Sequence, residues 1–169
     1  MANIHPSSIV DPAARIADDV VIGPFCTIGP NVEIGAGTTL QSHIVVTGHT
    51  VIGERNKIYA FAAIGIDPQD KKYRNEPTRL VIGNDNVIRE HCTLSTGTIQ
   101  DHSLTQIGDG NLLMANVHIA HDCVVGDGTI IANNVVLAGH VHVGNDAIIG
   151  GQSGVHQFVR IGRGAMLSG

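Results

Sequence analysis

The sequence predicts an all-β solenoid, a parallel β-helix of about nine triangular coils, and three observations carry that prediction. Aliphatic residues recur at every sixth position from Ile4 to Ile64 without a miss. Glycine follows the aliphatic repeatedly, as in "IGPFCT", "IGPNVE", "IGERNK" and "VGNDAI". The composition is 43% hydrophobic with only 3% aromatic residues, and 21 of 169 residues are glycine. Such a chain is too apolar for disorder and suits many short strands separated by tight turns.

A helix would space its apolar residues by three and four, and a sandwich strand would alternate over a longer run. Period six instead describes strand, corner, strand, with one aliphatic pointing inward on each face. Three hexapeptides, eighteen residues, close one coil, and coils stack at about 4.8 Å. Periodicity alone leaves the hand of the coil open.

Taken in order, the register runs through Ile4, Val10, Ile16, Ile22, Ile28, Ile34, Leu40, Val46, Ile52, Ile58 and Ile64. Small or β-branched residues two positions earlier (Cys26, Val32, Thr38, Ala62) fit a narrow interior. Residues 66–80, "IDPQDKKYRNEPTRL", are polar, contain two prolines and read as an excursion from the wall. The register resumes at Ile82, Ile88 and Leu94, breaks again over 99–106, and runs from Ile107 to Leu167. Residues 1–169 therefore read as one β-helix domain with two excursions. Insertions in a solenoid gather on one side, often at the binding face. The repeat stops at Leu167-Ser168-Gly169 without a polar cap, which suggests further chain or a covering partner.

The net charge of -5 argues against a nucleic-acid surface. No signal peptide and no long apolar span is visible, so a soluble cytoplasmic protein with no transmembrane segment is expected. The odd set of Cys26, Cys92 and Cys123 reads as reduced and buried. Ten histidines are present, and seven fall between 91 and 156.

The stretch "HIAHDC", residues 118–123, concentrates two imidazoles, a carboxylate and a thiol. With eighteen residues per coil, Asp122 and His140 stack at one corner, and His121 lies beside Gly139. Three chemistries compete there. A metal would need imidazoles such as His118 and His121 to converge on one ion. A thiol nucleophile would be Cys123, whose slot matches interior positions. A general base would be His121, oriented by a carboxylate, with the Gly139 N–H available to a developing oxyanion. A purely structural role for the histidines stands beside these.

Several motifs carry a resemblance. "PQDKKYRNEPTRLVIGNDNVIRE" at 68–90, "GDGNLLMANVHIAHDCVVGD" at 108–127, "LAGHVHVG" at 137–144 and "IGGQSGVHQFVRIG" at 149–162 closely resemble the acyl-carrier-protein-dependent UDP-N-acetylglucosamine O-acyltransferases of lipid A biosynthesis, a hexapeptide-repeat family. The resemblance implies a left-handed parallel β-helix in a homotrimer with active sites between subunits. It implies transfer of a 3-hydroxyacyl chain from acyl carrier protein to the glucosamine 3-OH of UDP-N-acetylglucosamine. No metal is implied, and no bound cofactor beyond the phosphopantetheine carried by the acyl carrier protein.

Carried over position by position, the resemblance makes His121 the general base, Asp122 its supporting carboxylate and Gly139 the oxyanion donor. Asp70, Lys72, His118, His140, His156 and Gln157 match residues that bind substrate, and Gly169 falls at the wall that limits acyl length. Ser95-Thr96 stand where the family commonly has His-Arg. The family also continues beyond position 169 with further coils and a C-terminal helical domain absent from this sequence. Three other readings are weighed against this one. They are an amine acyltransferase of the same pathway, a metal-dependent β-helix hydratase of the carbonic anhydrase type, and a truncated β-helix scaffold.

Overall fold

The computed structural model describes residues 1–169, and every regular element in it is a strand. Twenty-five short strands form three parallel sheets of nine, eight and eight strands, in which each strand pairs with those three before and three after it. This is the left-handed parallel β-helix, with eight complete coils and the first strand of a ninth, Met166–Leu167. Face A is entered first in each coil, then B, then C.

The register aliphatics point inward. Ile22, Ile58, Ile88, Leu113, Ile131 and Ile149 fill the interior from face A, and Ile28, Ile64, Leu94, Ile119 and Leu137 fill it from face B. The positions two residues earlier are buried as well: Cys26, Val32, Thr38, Ala62, Cys92, Val117 and Cys123 are at most 1% exposed. Two inward side chains per hexapeptide fill the triangle, which explains why large aromatics are excluded from it.

At the corner between faces C and A the inner position is polar. Asn56, Asn86 and Asn111 stack in a buried column that ends on Thr38 and Thr129. Each side-chain oxygen accepts the backbone N–H of the next member: Asn86 N–H to Asn56 Oδ1 at 2.9 Å, and Asn111 N–H to Asn86 Oδ1 at 2.8 Å. The column satisfies corner amides that the strand ladder cannot reach.

The ladder runs further into the first excursion from both sides than the hexapeptide register indicates, and it shifts the second three residues earlier. Ile66 still pairs with Ser95 across a bulge, and Arg79 and Leu80 pair with His49 and Thr50. The first loop proper is therefore 67–78. Leu104, Thr105 and Gln106 pair with Arg79, Leu80 and Val81, so the second loop is 96–103. The misassignment arose because Arg79, Thr105 and Gln106 are polar yet extended; strand membership follows backbone pairing, and outward-facing positions carry no apolar signal.

Register spacing locates the loops. Ile52 pairs with Ile82, thirty residues on instead of eighteen, and Leu94 pairs with Ile119, twenty-five on. Twelve and seven residues are thus inserted, and both insertions leave the wall where face B turns into face C. The next residues at that corner are 120–123, 138–141 and 156–159. Both loops consequently border the histidine-rich column. No helix of the structure is long and apolar enough to cross a membrane.

Candidate active site

The corner between faces B and C forces its third residue into the left-handed backbone region. Asp122, His140 and Phe158 have φ of 58°, 63° and 64°, so their side chains leave successive coils as one column. His121 precedes Asp122 and packs over the next coil at Gly139. His140 N–H donates to the His121 carbonyl at 3.0 Å, locking the two coils together.

His121 Nδ1 lies 2.8 Å from Asp122 Oδ2, and both residues are buried. Asp122 receives three further contacts from Thr98: its backbone N–H reaches Oδ1 at 2.9 Å and Oδ2 at 3.1 Å, and its hydroxyl donates to Oδ2 at 2.6 Å. Burial by itself would push the Asp122 carboxyl up, but the hydrogen bonds from His121 and Thr98 outweigh it and hold the carboxyl below its usual range. An ionised carboxylate only accepts, so Nδ1 of His121 carries the proton. In the neutral ring Nε2 then holds the lone pair.

Nε2 of His121 faces the first loop, where Asp70 Oδ2 stands 3.9 Å away, beyond hydrogen-bond distance. Asp70 is itself fixed by the Lys72 N–H at 2.8 Å. The basic nitrogen therefore has no hydrogen-bond partner within the chain. Gly139 has an N–H that makes no hydrogen bond, and no side chain would fit on it: a Cβ there would lie 2.5 Å from His121 Cε1.

His140 forms a second histidine–carboxylate pair. Its Nδ1 lies 2.7 Å from Asp101 Oδ2 on the second loop, its ring edge meets His121 with centroids 5.0 Å apart, and its face stacks on Phe158 at 4.5 Å.

Of the residues singled out from sequence, the structure brings His121, Asp122, Gly139, His140 and Asp70 together. Lys72 contributes its backbone to Asp70 while its side chain extends into solvent. His156 and Gln157 sit one coil further along the same corner, both exposed, with His156 Nδ1 3.3 Å from the Gln157 carbonyl. His118 lies on face B, hydrogen-bonded through Nδ1 to Thr93 Oγ1 at 2.7 Å. Burial and the neighbouring His121 both push its pKa down. Gly169 is on a different corner, between faces A and B, directly above Gly151; within one chain it does not join the His121 cluster.

Ser95 and Thr96 are buried beneath the loops, with Thr78 Oγ1 donating to Thr96 Oγ1 at 3.0 Å and the Ser95 hydroxyl unpartnered. Thr98, Asp101 and Thr105 were not among the sequence candidates. Thr105 Oγ1 accepts the Asp122 N–H at 2.9 Å, so the second loop, through Thr98, and the strand that follows it both hold Asp122. The hydroxyl and carboxyl types in "TGTIQDHSLT" carry no spacing that would single them out.

The geometry separates the competing chemistries. Cys123 is buried, its Sγ directed at the Ala138 carbonyl at 3.1 Å, and burial pushes its thiol up to about 12. A thiolate nucleophile is not available there. Ligand-capable atoms of His121, Asp122 and His140 lie within 4.8 Å of one another. The Asp122 oxygens and both Nδ1 atoms are already committed to hydrogen bonds, however, so their lone pairs do not converge on one point. His118, the other imidazole considered for such a centre, is turned to Thr93. The cavities of the single chain lie near its first coils, lined by residues such as Arg15, Glu33 and Val51, and none includes His121.

The chain is similar to known proteins in both sequence and fold. The bacterial transferase hexapeptide (six repeats) family matches residues 1–36, 13–48 and 104–139. The chain is 56% identical over 125 residues to the acyl-[acyl-carrier-protein]–UDP-N-acetylglucosamine O-acyltransferase of Saccharophagus degradans, a match covering 74% of this chain and 48% of that protein. Among solved structures, LpxA of Acinetobacter baumannii superposes with a TM-score of 0.92 at 57% identity, covering 97% of this chain and 66% of that one. UDP-N-acetylglucosamine O-acyltransferase of Moraxella catarrhalis gives 0.93 at 56% identity with the same coverage. The chain spans about half the length of the curated relatives it matches. It belongs to the bacterial hexapeptide transferase family, in the group of the UDP-N-acetylglucosamine O-acyltransferases.

Proposed function

We propose that this chain is the catalytic β-helix of an enzyme that moves a 3-hydroxyacyl group from acyl carrier protein to the 3-OH of UDP-N-acetylglucosamine, the first step of lipid A biosynthesis, in the cytoplasm. The observation that carries the reading is the His121–Asp122 pair, whose Nε2 is left unpartnered opposite Asp70.

In this mechanism His121 Nε2 takes the proton of the sugar 3-OH. The oxygen attacks the thioester carbonyl carbon, forming the new C–O bond, and the Gly139 N–H donates a hydrogen bond to the developing oxyanion. Collapse breaks the C–S bond, and the departing phosphopantetheine sulfur takes the proton back from His121. Asp122 stays ionised throughout and stabilises the imidazolium. Phosphopantetheine enters as part of the carrier substrate, so the chain itself supplies no cofactor. Asp70, Lys72, His118, His140, His156 and Gln157 contact the two substrates, and Gly169 contributes to the end of the acyl groove.

A homotrimer completes the site in this reading. The His121 corner is not enclosed by any cavity of one chain, which is the arrangement expected where a neighbour supplies the outer wall. The outward residues Ile130, Ile148 and Met166 on face A form an exposed apolar row suited to subunit contact.

The test is turnover of UDP-N-acetylglucosamine with 3-hydroxyacyl carrier protein, with light scattering on the same sample. Acyl transfer by a trimer is expected. A monodisperse monomer, or a trimer without acyl transfer to the sugar, would overturn the proposal.

A further inference from the structure

We infer that Asp101 is a positioning residue: from the second loop it accepts the Nδ1–H of His140 and holds the imidazole in one orientation, so that the protonated ring donates its Nε2–H to a phosphate oxygen of a substrate. The phosphate clause rests on the proposed function, since both UDP-N-acetylglucosamine and phosphopantetheine carry one.

The ring is pinned on three sides. Asp101 Oδ2 stands 2.7 Å from Nδ1, Phe158 stacks on one face with an interplanar angle of 8°, and the edge meets His121 at 87°. The ring is held on these sides while remaining half-buried, so one edge stays open to a ligand. Here Nε2 makes no hydrogen bond within the chain. The carboxylate accepts from Nδ1–H, which leaves Nε2 as the free nitrogen in the neutral ring and as a free N–H donor in the charged one.

Asp101 is thirty-nine residues from His140, and only the insertion at this corner brings it there. The same seven-residue insertion also supplies Thr98 to Asp122. One loop therefore sets two adjacent imidazoles, each through a carboxylate on its Nδ1. The other charged groups near the pair are His102, whose Nε2 is 3.2 Å from Asp101 Oδ1, and His142 and Arg160 on face C.

The experiment reads the 15N shifts of the His140 ring in the intact protein at a pH where the ring is neutral. The wild type is expected to carry its proton on Nδ1. Asp101→Asn keeps an acceptor and should keep that tautomer, whereas Asp101→Ala should move the proton to Nε2, with His121 unchanged in both. A wild-type ring protonated on Nε2, or an Asp101→Ala ring that does not switch, overturns the positioning role, and the wild-type measurement decides the matter even if Asp101→Ala folds poorly.

Kinetics then tests the phosphate clause. Asp101→Ala should raise KM about tenfold for one substrate, with kcat within about twofold. A rise for the sugar nucleotide or for the carrier identifies which phosphate is read, and unchanged KM for both overturns the clause. The tautomer is measured without turnover. A protein that switches tautomer but transfers no acyl group would therefore sink the proposed function while supporting the positioning role.

Discussion

His121 lies flat against Gly139 of the following coil: a Cβ built on Gly139 would stand 2.5 Å from His121 Cε1 and 2.7 Å from Nε2. Gly139 does not have a left-handed φ, so glycine is required here for space and not for backbone freedom. Gly139→Ala should displace the imidazole from Asp122 while leaving the wall ordered. Loss of kcat by up to about 10²–10⁴-fold, the scale typical of a general base, is expected with an unchanged circular dichroism spectrum. Full activity in Gly139→Ala would show that the ring need not sit where it does.

His121→Ala should remove transfer by about 10²–10⁴-fold, the usual scale for a general base. Asp122→Asn should cost less, because the base survives and only its orientation and the support of its charge are disturbed. Thr98→Val removes the hydroxyl 2.6 Å from Asp122 Oδ2 and should fall between wild type and Asp122→Asn. Steady-state kcat/KM for the three variants checks this order.

Cys123→Ser should leave the chemical step within about twofold of wild type. The thiol lies buried with its pKa pushed up to about 12, so thiol reagents should modify Cys123 only on unfolding. Mass spectrometry after alkylation of the native protein would show any early reaction. Inactivation by such modification would restore the nucleophile reading.

The fold should weaken on mild acidification through His118. Burial and His121 depress its pKa below the 6.5 of an ordinary imidazole, so the unfolded chain binds this proton more readily than the folded one. The stabilising contribution is present above 6.5 and is lost as pH falls from there through the folded pKa. The difference in melting temperature between pH 7.5 and pH 5.5 should therefore shrink in His118→Gln. An undiminished difference would place the acid sensitivity elsewhere.

Asn86→Ala should be one of the most destabilising small substitutions in the molecule. It strips the Asn111 N–H of its acceptor and the Gly108 carbonyl of its donor, both at a buried corner. A buried group left unpaired costs about 1–3 kcal/mol, so a loss of about 2–4 kcal/mol is expected in urea denaturation. An effect under about 1 kcal/mol would mean that the corner relaxes or admits water.

The wall of this protein was legible because a solenoid repeats one local decision. Each hexapeptide must supply an inward aliphatic such as Ile131 and a small inner partner such as Thr129, so period and stacking order follow from residue type alone. The same arithmetic put His121, Asp122, Gly139 and His140 on one corner, since eighteen residues return the chain to the same place. It misjudged where the excursions begin and end, because Arg79 and Gln106 are polar on an outward face whose pairing leaves no trace in hydropathy. It also had no view of Thr98, Thr105 and Asp101, nor of Asp70 standing 3.9 Å from His121. Thr98, Asp101 and Asp70 lie on insertions and Thr105 just past one, where the period is suspended and position depends on how a loop folds back onto its own wall. Local periodicity determined the scaffold and the column of the base, and only the tertiary return of two loops decided which groups orient the imidazoles. Loop closure is set by hydrogen bonds between residues distant in sequence, and no repeat encodes those.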